Sequence, residues 1–149
     1  MLTFDGQRDF ALPPAPLWAK LRDARFLIEC IPDGSVKGTP TQERGECSVR
    51  PPIAFLGGSL DVVVSILEAV EPGLVRIQLA SKGIGTSSEV EVKLDIQAKG
   101  DGSHVDYHAD VNKLGGLLKA VPSGLIRGSA QKIIEGVWEN VAQKSASGG

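Results

Sequence analysis

The longest regular hydrophobic pattern in the chain runs from Leu117 to Lys144. Leu118, Val121, Leu125, Ser129, Ile133, Val137 and Val141 recur every three or four residues, and Ile126, Ala130, Ile134 and Trp138 widen the stripe. Such a period predicts an amphipathic helix with one face in water and the other on an apolar support. Lys119, Arg127, Lys132, Glu135, Glu139 and Gln143 mark the wet face. Pro122 removes a donor and pushes Val121 out of the helical region, so it predicts a kink or a lead-in turn. Gly124, Gly128 and Gly136 each cost about 1 kcal/mol against alanine in a helix interior. Three readings stay open for them: space beneath the helix for a ligand, close contact between helix and sheet, or simple tolerance.

Between Ser35 and Val111 the period drops to two. Val75, Ile77 and Leu79 alternate with Arg76 and Gln78; Val90, Val92, Leu94 and Ile96 with Glu91, Lys93 and Asp95; Val105, Tyr107, Ala109 and Val111 with Asp106, His108 and Asp110. Alternation of this kind predicts strands with one wet face. Leu60 to Val70 and Glu43 to Arg50 read as further strands, and Glu71-Pro72-Gly73, Lys82 to Gly85 and Lys99 to Gly102 as hairpin connections. Upstream, Leu2 to Leu12 reads as a first strand, Leu17 to Leu21 and Asp23 to Glu29 as two short helices, and Ile31 to Gly34 as a turn. One strand, two short helices, about six antiparallel strands and a long helix predict an α+β fold. The final helix is the only element long enough to cover the concave face of such a sheet.

At 149 residues the chain fits one domain able to bury a core. Lys and Arg total 16 against 18 Asp and Glu, and without a basic excess a nucleic-acid surface is not expected. Cys30 and Cys47 lie in no metal-ligand spacing, and the start has no apolar stretch of signal-peptide length, which predicts a cytoplasmic protein with free thiols. No apolar run approaches the roughly eighteen residues that span a bilayer, so any membrane contact is expected to be transient or through a partner.

Several segments together resemble the CoxG family of carbon monoxide dehydrogenase subunits, within the START/Bet v 1-like (SRPBCC) superfamily. They are Phe4-x-Gly6, the run Pro13 to Asp23 leading into Cys30-Ile31-Pro32, Phe55-x-Gly57, and Leu114-Gly115-Gly116-Leu117-Leu118 before the last helix. The resemblance spans nearly the whole chain and implies a helix-grip fold: a curved antiparallel sheet of about seven strands wrapped around the C-terminal helix, with two short helices after strand one. It further implies an accessory protein of a molybdenum-containing hydroxylase of the CO dehydrogenase type. Such a protein would act in membrane recruitment or in handling a hydrophobic molecule such as a lipid or quinone, with a peripheral place at the inner membrane face. This chain ends soon after the helix, so self-anchoring is not expected, while ligand handling is.

The polar residues give no catalytic set. His104 and His108 share a strand face with Asp106 and Asp110, opposite Val105 and Tyr107, where solvent is expected rather than a metal or a secluded acid/base pair. Arg76 is expected to face water, and Arg50 to reach a cavity mouth. No cofactor is expected. Tyr107 points inward, where its hydroxyl needs a partner: a carbonyl-bearing ligand, or a loop or helix backbone. The expected lining of an apolar cavity is Val64, Ile77, Leu79, Val92, Leu94, Val105 and Tyr107 from strands, and Leu118, Val121, Leu125 and Ser129 from the helix. The helix-grip resemblance implies that Phe26, Leu27 and Phe55 lie at the ligand entrance, Phe55 within a segment from Ile53 to Leu56 that reads as a lid, as a docking tip for a membrane or partner, or as a corner between two strands. Binding of a hydrophobic small molecule is thus expected. The competing readings are an enzyme of the polyketide cyclase or aromatase kind in the same cavity, and an assembly factor with no ligand.

Overall fold

The computed structural model describes residues 3–31, 34–50, 58–71, 73–83 and 85–147, without the side chains of 117, 118, 146 and 147. Seven strands form one antiparallel sheet: β1 (Thr3–Phe10), β2 (Gly34–Lys37), β3 (Arg44–Val49), β4 (Leu60–Val70), β5 (Leu74–Gly83), β6 (Thr86–Lys99) and β7 (Gly102–Gly116). Their order, β1-β7-β6-β5-β4-β3-β2, brings the first strand beside the last. Two short helices, α1 (Pro14–Leu21) and α2 (Ala24–Cys30), follow β1, and α3 (Ser123–Ser147) follows a 3₁₀ turn at Leu117–Ala120. This is the helix-grip arrangement predicted from the sequence. The strand that the sequence reading does not place is β2, exposed at all four positions and therefore without a buried face to pattern it.

Local chemistry explains where the short helices begin and end. Proline occupies the first turn of α1, where its missing N–H costs nothing, and the Asp23 side chain caps α2 by accepting from the Arg25 amide at 3.0 Å. The tight β6–β7 connection passes through Gly100 at φ +57, a region that favours glycine. Leu17, Leu21, Ala24 and Cys30 are fully buried, so both short helices seal one end of the concave face. Trp18 Nε1 donates to the Leu74 carbonyl at 3.1 Å and fixes α1 there.

Pro122 is a lead-in, not a kink: its carbonyl accepts the amides of Leu125 at 3.0 Å and Ile126 at 3.2 Å, and the helix runs uninterrupted from Ser123. The gripped stripe is rotated from the predicted one. Ser129, Trp138, Val141 and Ser145 are buried, with Ala130, Ile134 and Val137 partly so, whereas Leu125 is 43% and Ile133 37% exposed. Ile133 stands about 100° around the helix from Ile134, which is enough to lift it off the sheet. Close contact with the sheet does not hold at Gly124 or Gly128: both are exposed, and a Cβ at either would meet nothing within 4 Å.

Three polar clasps hold α3 in place. Asn140 Nδ2 donates to the Cys30 carbonyl at 2.8 Å, Arg8 pairs with Glu139 at 3.2 Å, and Arg127 reaches the Thr3 carbonyl at 3.3 Å while its guanidinium lies 5.3 Å from the centre of the Phe4 ring. The helix is therefore tied to α2 on one side and to the edge strand β1 on the other.

Candidate functional site

The strand register arranges the concave face in rows. Val75, Leu94, Tyr107 and Gly6 form the first; Ile66, Ile77, Val92, Ala109 and Phe4 the second; Val64, Leu79, Val90 and Val111 the third; Val62, Ser81, Ser88 and Leu114 the fourth. Each of the first three rows holds buried members, and the fourth holds none. Val75 and Leu94 are closed under the aromatic contact of Tyr107 with Trp138, whose ring centres are 5.4 Å apart. All four members of the last row are only partly buried. Leu79, Val90 and Val92 share that state, and so do Ile126, Ala130, Ile134 and Val137 on the helix above. At this end of the grip, then, inward apolar surface is only partly covered, although Val90, Val92, Leu114, Ala130 and Ile134 pack against the buried Phe4, Ala109 and Val111.

The predicted lining therefore divides. Leu79, Val92 and Tyr107 lie inward and are only partly buried. Val64 and Val105 are correctly placed inward but fully buried at 0% exposure, and Ile77 and Leu94 at 5% and 2% are nearly so; all four fill the core beneath α1, α2 and Trp138. Val121 and Ser129 are buried at 7% and 8%. Leu125 does not line the interior but faces outward on α3. Phe26 packs partly buried on α2, with the Lys20 ammonium 5.4 Å from its ring centre. Phe55, the lid or corner at Ile53 to Leu56, and the Leu118 side chain lie outside the described residues.

Tyr107 lies across from Gly6 in the β1–β7 ladder, and a Cβ at Gly6 would overlap its phenol. Burial pushes that phenol above its ordinary range, followed by the field of Glu135. Among the described residues nothing exchanges a hydrogen bond with the hydroxyl, so the structural partner expected for it is not found. Ser81 and Ser88 also lie on the inward face, where the apolar pattern does not announce them. Their hydroxyls are hydrogen-bonded to each other on the inward face. A signal for them does exist in the sequence: each stands two residues along its strand from an inward residue, Leu79 or Val90.

The outer face has the opposite character. His108 bridges Asp5 and Asp110, and His104 sits between Asp9 at 2.5 Å and Asp106 at 3.4 Å. These carboxylates raise both imidazoles above the usual range, led by Asp9 for His104 and Asp5 for His108. Hydrogen bonds from Lys99 and His104 lower the Asp9 carboxyl. An open groove of about 570 Å³ crosses this surface between Asp5, Gln7, Lys93, Asp95, Asp106 and His108. Its charged walls suit water, not an apolar guest. Arg76 faces outward as predicted, paired with Glu68 and Glu91. Arg50 is exposed at the end of β3. Among the described residues no group of three or more His, Cys, Asp or Glu is placed to hold a metal ion.

A sheet gripping a terminal helix over an incompletely filled apolar face defines a START-like, helix-grip protein. Solved structures of the same shape include a conserved protein from Geobacillus kaustophilus (18% identity, TM-score 0.83, 97% of this chain and 95% of that one). They also include a START superfamily protein from Mycobacterium smegmatis (12%, 0.68, 97% and 97%) and a protein from Thermus thermophilus (12%, 0.69, 99% and 99%). Among curated proteins none is matched. Residues 6–146 match the CoxG family of carbon monoxide dehydrogenase subunits, and the chain belongs to that family. Family and fold together support a hydrophobic ligand-binding or accessory role. No helix among the described residues is long and apolar enough to cross a membrane.

Proposed function

We propose that the chain binds a lipid- or quinone-like molecule between α3 and rows two to four of the sheet. In this reading it serves a molybdenum-containing hydroxylase of the CO dehydrogenase type as an accessory protein. The observation that carries it is the incomplete cover of Leu79, Val90 and Val92 on a face that α3 grips. A protein with no guest gains by closing such surface, at about 25 cal/mol for each Å² removed from water. The choice of partner enzyme follows from membership of the CoxG family.

The same reading places the protein in the cytoplasm, in transient contact with the inner membrane face. From Val111 to Ile134 the chain carries Lys113, Lys119, Arg127 and Lys132 and no acid, beside the exposed Leu125 and Ile133. Cations interleaved with exposed apolar side chains suit an anionic lipid surface.

Native mass spectrometry of the purified chain, followed by organic extraction, tests the reading. A co-purifying lipid or quinone mass supports it. A chain that carries no such mass and takes up no lipid or quinone on incubation overturns it in favour of an assembly factor without a ligand. Stable co-purification with a molybdenum hydroxylase tests the partner separately.

A further inference from the structure

Ser81 and Ser88 are paired across β5 and β6, flanked by Val62 on β4 and Leu114 on β7, and all four side chains are partly buried on the gripped face. Two hydroxyls carry two protons, and the bond between them uses one. The second O–H is left over as a donor on the gripped face. The adjoining row, Val64, Leu79, Val90 and Val111, offers only apolar surface.

We infer that this serine pair is a polar subsite that takes a neutral oxygen, a carbonyl or an alcohol, at one end of an otherwise apolar guest. The inference rests on the ligand-binding reading and adds its chemistry and its direction. An ionised carboxylate or phosphate here would lose water with no inward cation in either row to replace it. A carbonyl asks for a single donor, and the pair has one to give. The oxygen sits at the β5–β6 turn end of the sheet, and the apolar remainder runs over Leu79, Val90 and Val92 toward Ile134.

Three probes of equal chain length separate these possibilities: 2-undecanone, undecane and undecanoate, titrated into the full-length chain and followed by tryptophan fluorescence. The ketone is expected to bind roughly two- to tenfold tighter than the alkane, the worth of one net hydrogen bond. Ser81→Ala and Ser88→Ala singly keep the preference, because the remaining hydroxyl loses its partner and frees its own proton. The double variant loses it while binding undecane as before. Equal binding of ketone and alkane, or an undiminished preference in the double variant, overturns the subsite and leaves the hollow standing. Tighter binding of undecanoate than of the ketone overturns its neutral character. If none of the three binds to chain shown folded by circular dichroism, the ligand-binding reading falls and takes the subsite with it.

Discussion

Tyr107 occupies the space that a side chain at position 6 would fill, lying against Gly6 of the neighbouring strand with its ring 5.4 Å from that of Trp138. The edge strand, the sheet and the final helix meet at this one glycine. Gly6→Ala must displace the phenol and the aromatic contact with it. The expected loss is about 1–3 kcal/mol, as for other overpacked sites. Tyr107→Phe keeps the ring and removes a hydroxyl that has no partner among the described residues, so its stability should stay within about 0.5 kcal/mol of the parent. Urea unfolding of both variants checks the pair of expectations; an undiminished midpoint for Gly6→Ala would show that the ring is free to leave.

The second prediction concerns pH. His104 and His108 have folded-state values raised above 6.5 by Asp9 and Asp5. Their contribution is full below that pH and disappears as pH rises through the raised values. Asp9 is lowered from 3.8 and acts in the opposite sense, contributing above that pH and failing as pH falls through its lower folded value. The β1–β7 edge should therefore hold best between roughly pH 4 and 6.5. Urea midpoints measured across pH should decline on both sides of that window. Replacing both histidines with glutamine should flatten the decline on the alkaline side; an unchanged slope would place its origin elsewhere.

Gly128 supplies a prediction of gain. It lies inside α3, and a Cβ there meets nothing within 4 Å. Gly128→Ala should stabilise the protein by about 1 kcal/mol through helix propensity alone. Thermal unfolding reads this as a raised midpoint. A lowered one would mean that the apparent open space is occupied in solution.

Element order and the wet and dry faces of β5, β6 and β7 are legible in the sequence, because burial writes a period of two or of three to four into a chain, whereas Pro122 leaves a kink and a lead-in equally open. What is not legible depends on cover. Val64 and Leu79 carry the same inward signal and pair with each other across β4 and β5, yet one is sealed and the other open. The difference is made by α1, α2 and Trp138, which arrive from distant parts of the chain. Leu125 shows the reverse problem: its spacing fits the helical stripe, but the rotation of α3 is set by Trp138 and Val141 and by the clasp from Asn140 to Cys30. Ser81 and Ser88 are hidden for a simpler reason, since a hydrophobic pattern stops where the apolar residues stop, although strand geometry continues.

Cys30 and Cys47 are free and buried. Burial pushes the Cys30 thiol up to about 11 and raises that of Cys47 as well. Because the thiolate is the reactive form, neither should react with Ellman's reagent at about pH 8 in the folded protein. Both should react promptly in denaturant. Prompt labelling of the native chain would mean that α2 lifts from β3 far more readily than its packing implies.

The sharpest separation of hollow from core comes from adding volume at two inward valines. Val90 is partly open in the third row, while Val105, on the same gripped face, has 0% exposure. Phenylalanine at Val105 has no space to enter and should cost about 1–3 kcal/mol or more, through displaced neighbours and forced rotamers. Phenylalanine at Val90 extends into the proposed binding space. It should cost less than about 1 kcal/mol, because burying its ring under Ile134 offsets the crowding. The same substitution should reduce uptake of an apolar guest, since the ring takes the guest's place. Unfolding midpoints and 2-undecanone titrations of the two variants thus move in opposite directions: Val105→Phe loses stability, and Val90→Phe loses binding. Equal destabilisation by both would show that the third row is packed as tightly as the core, and the binding site would have to be sought elsewhere on the protein.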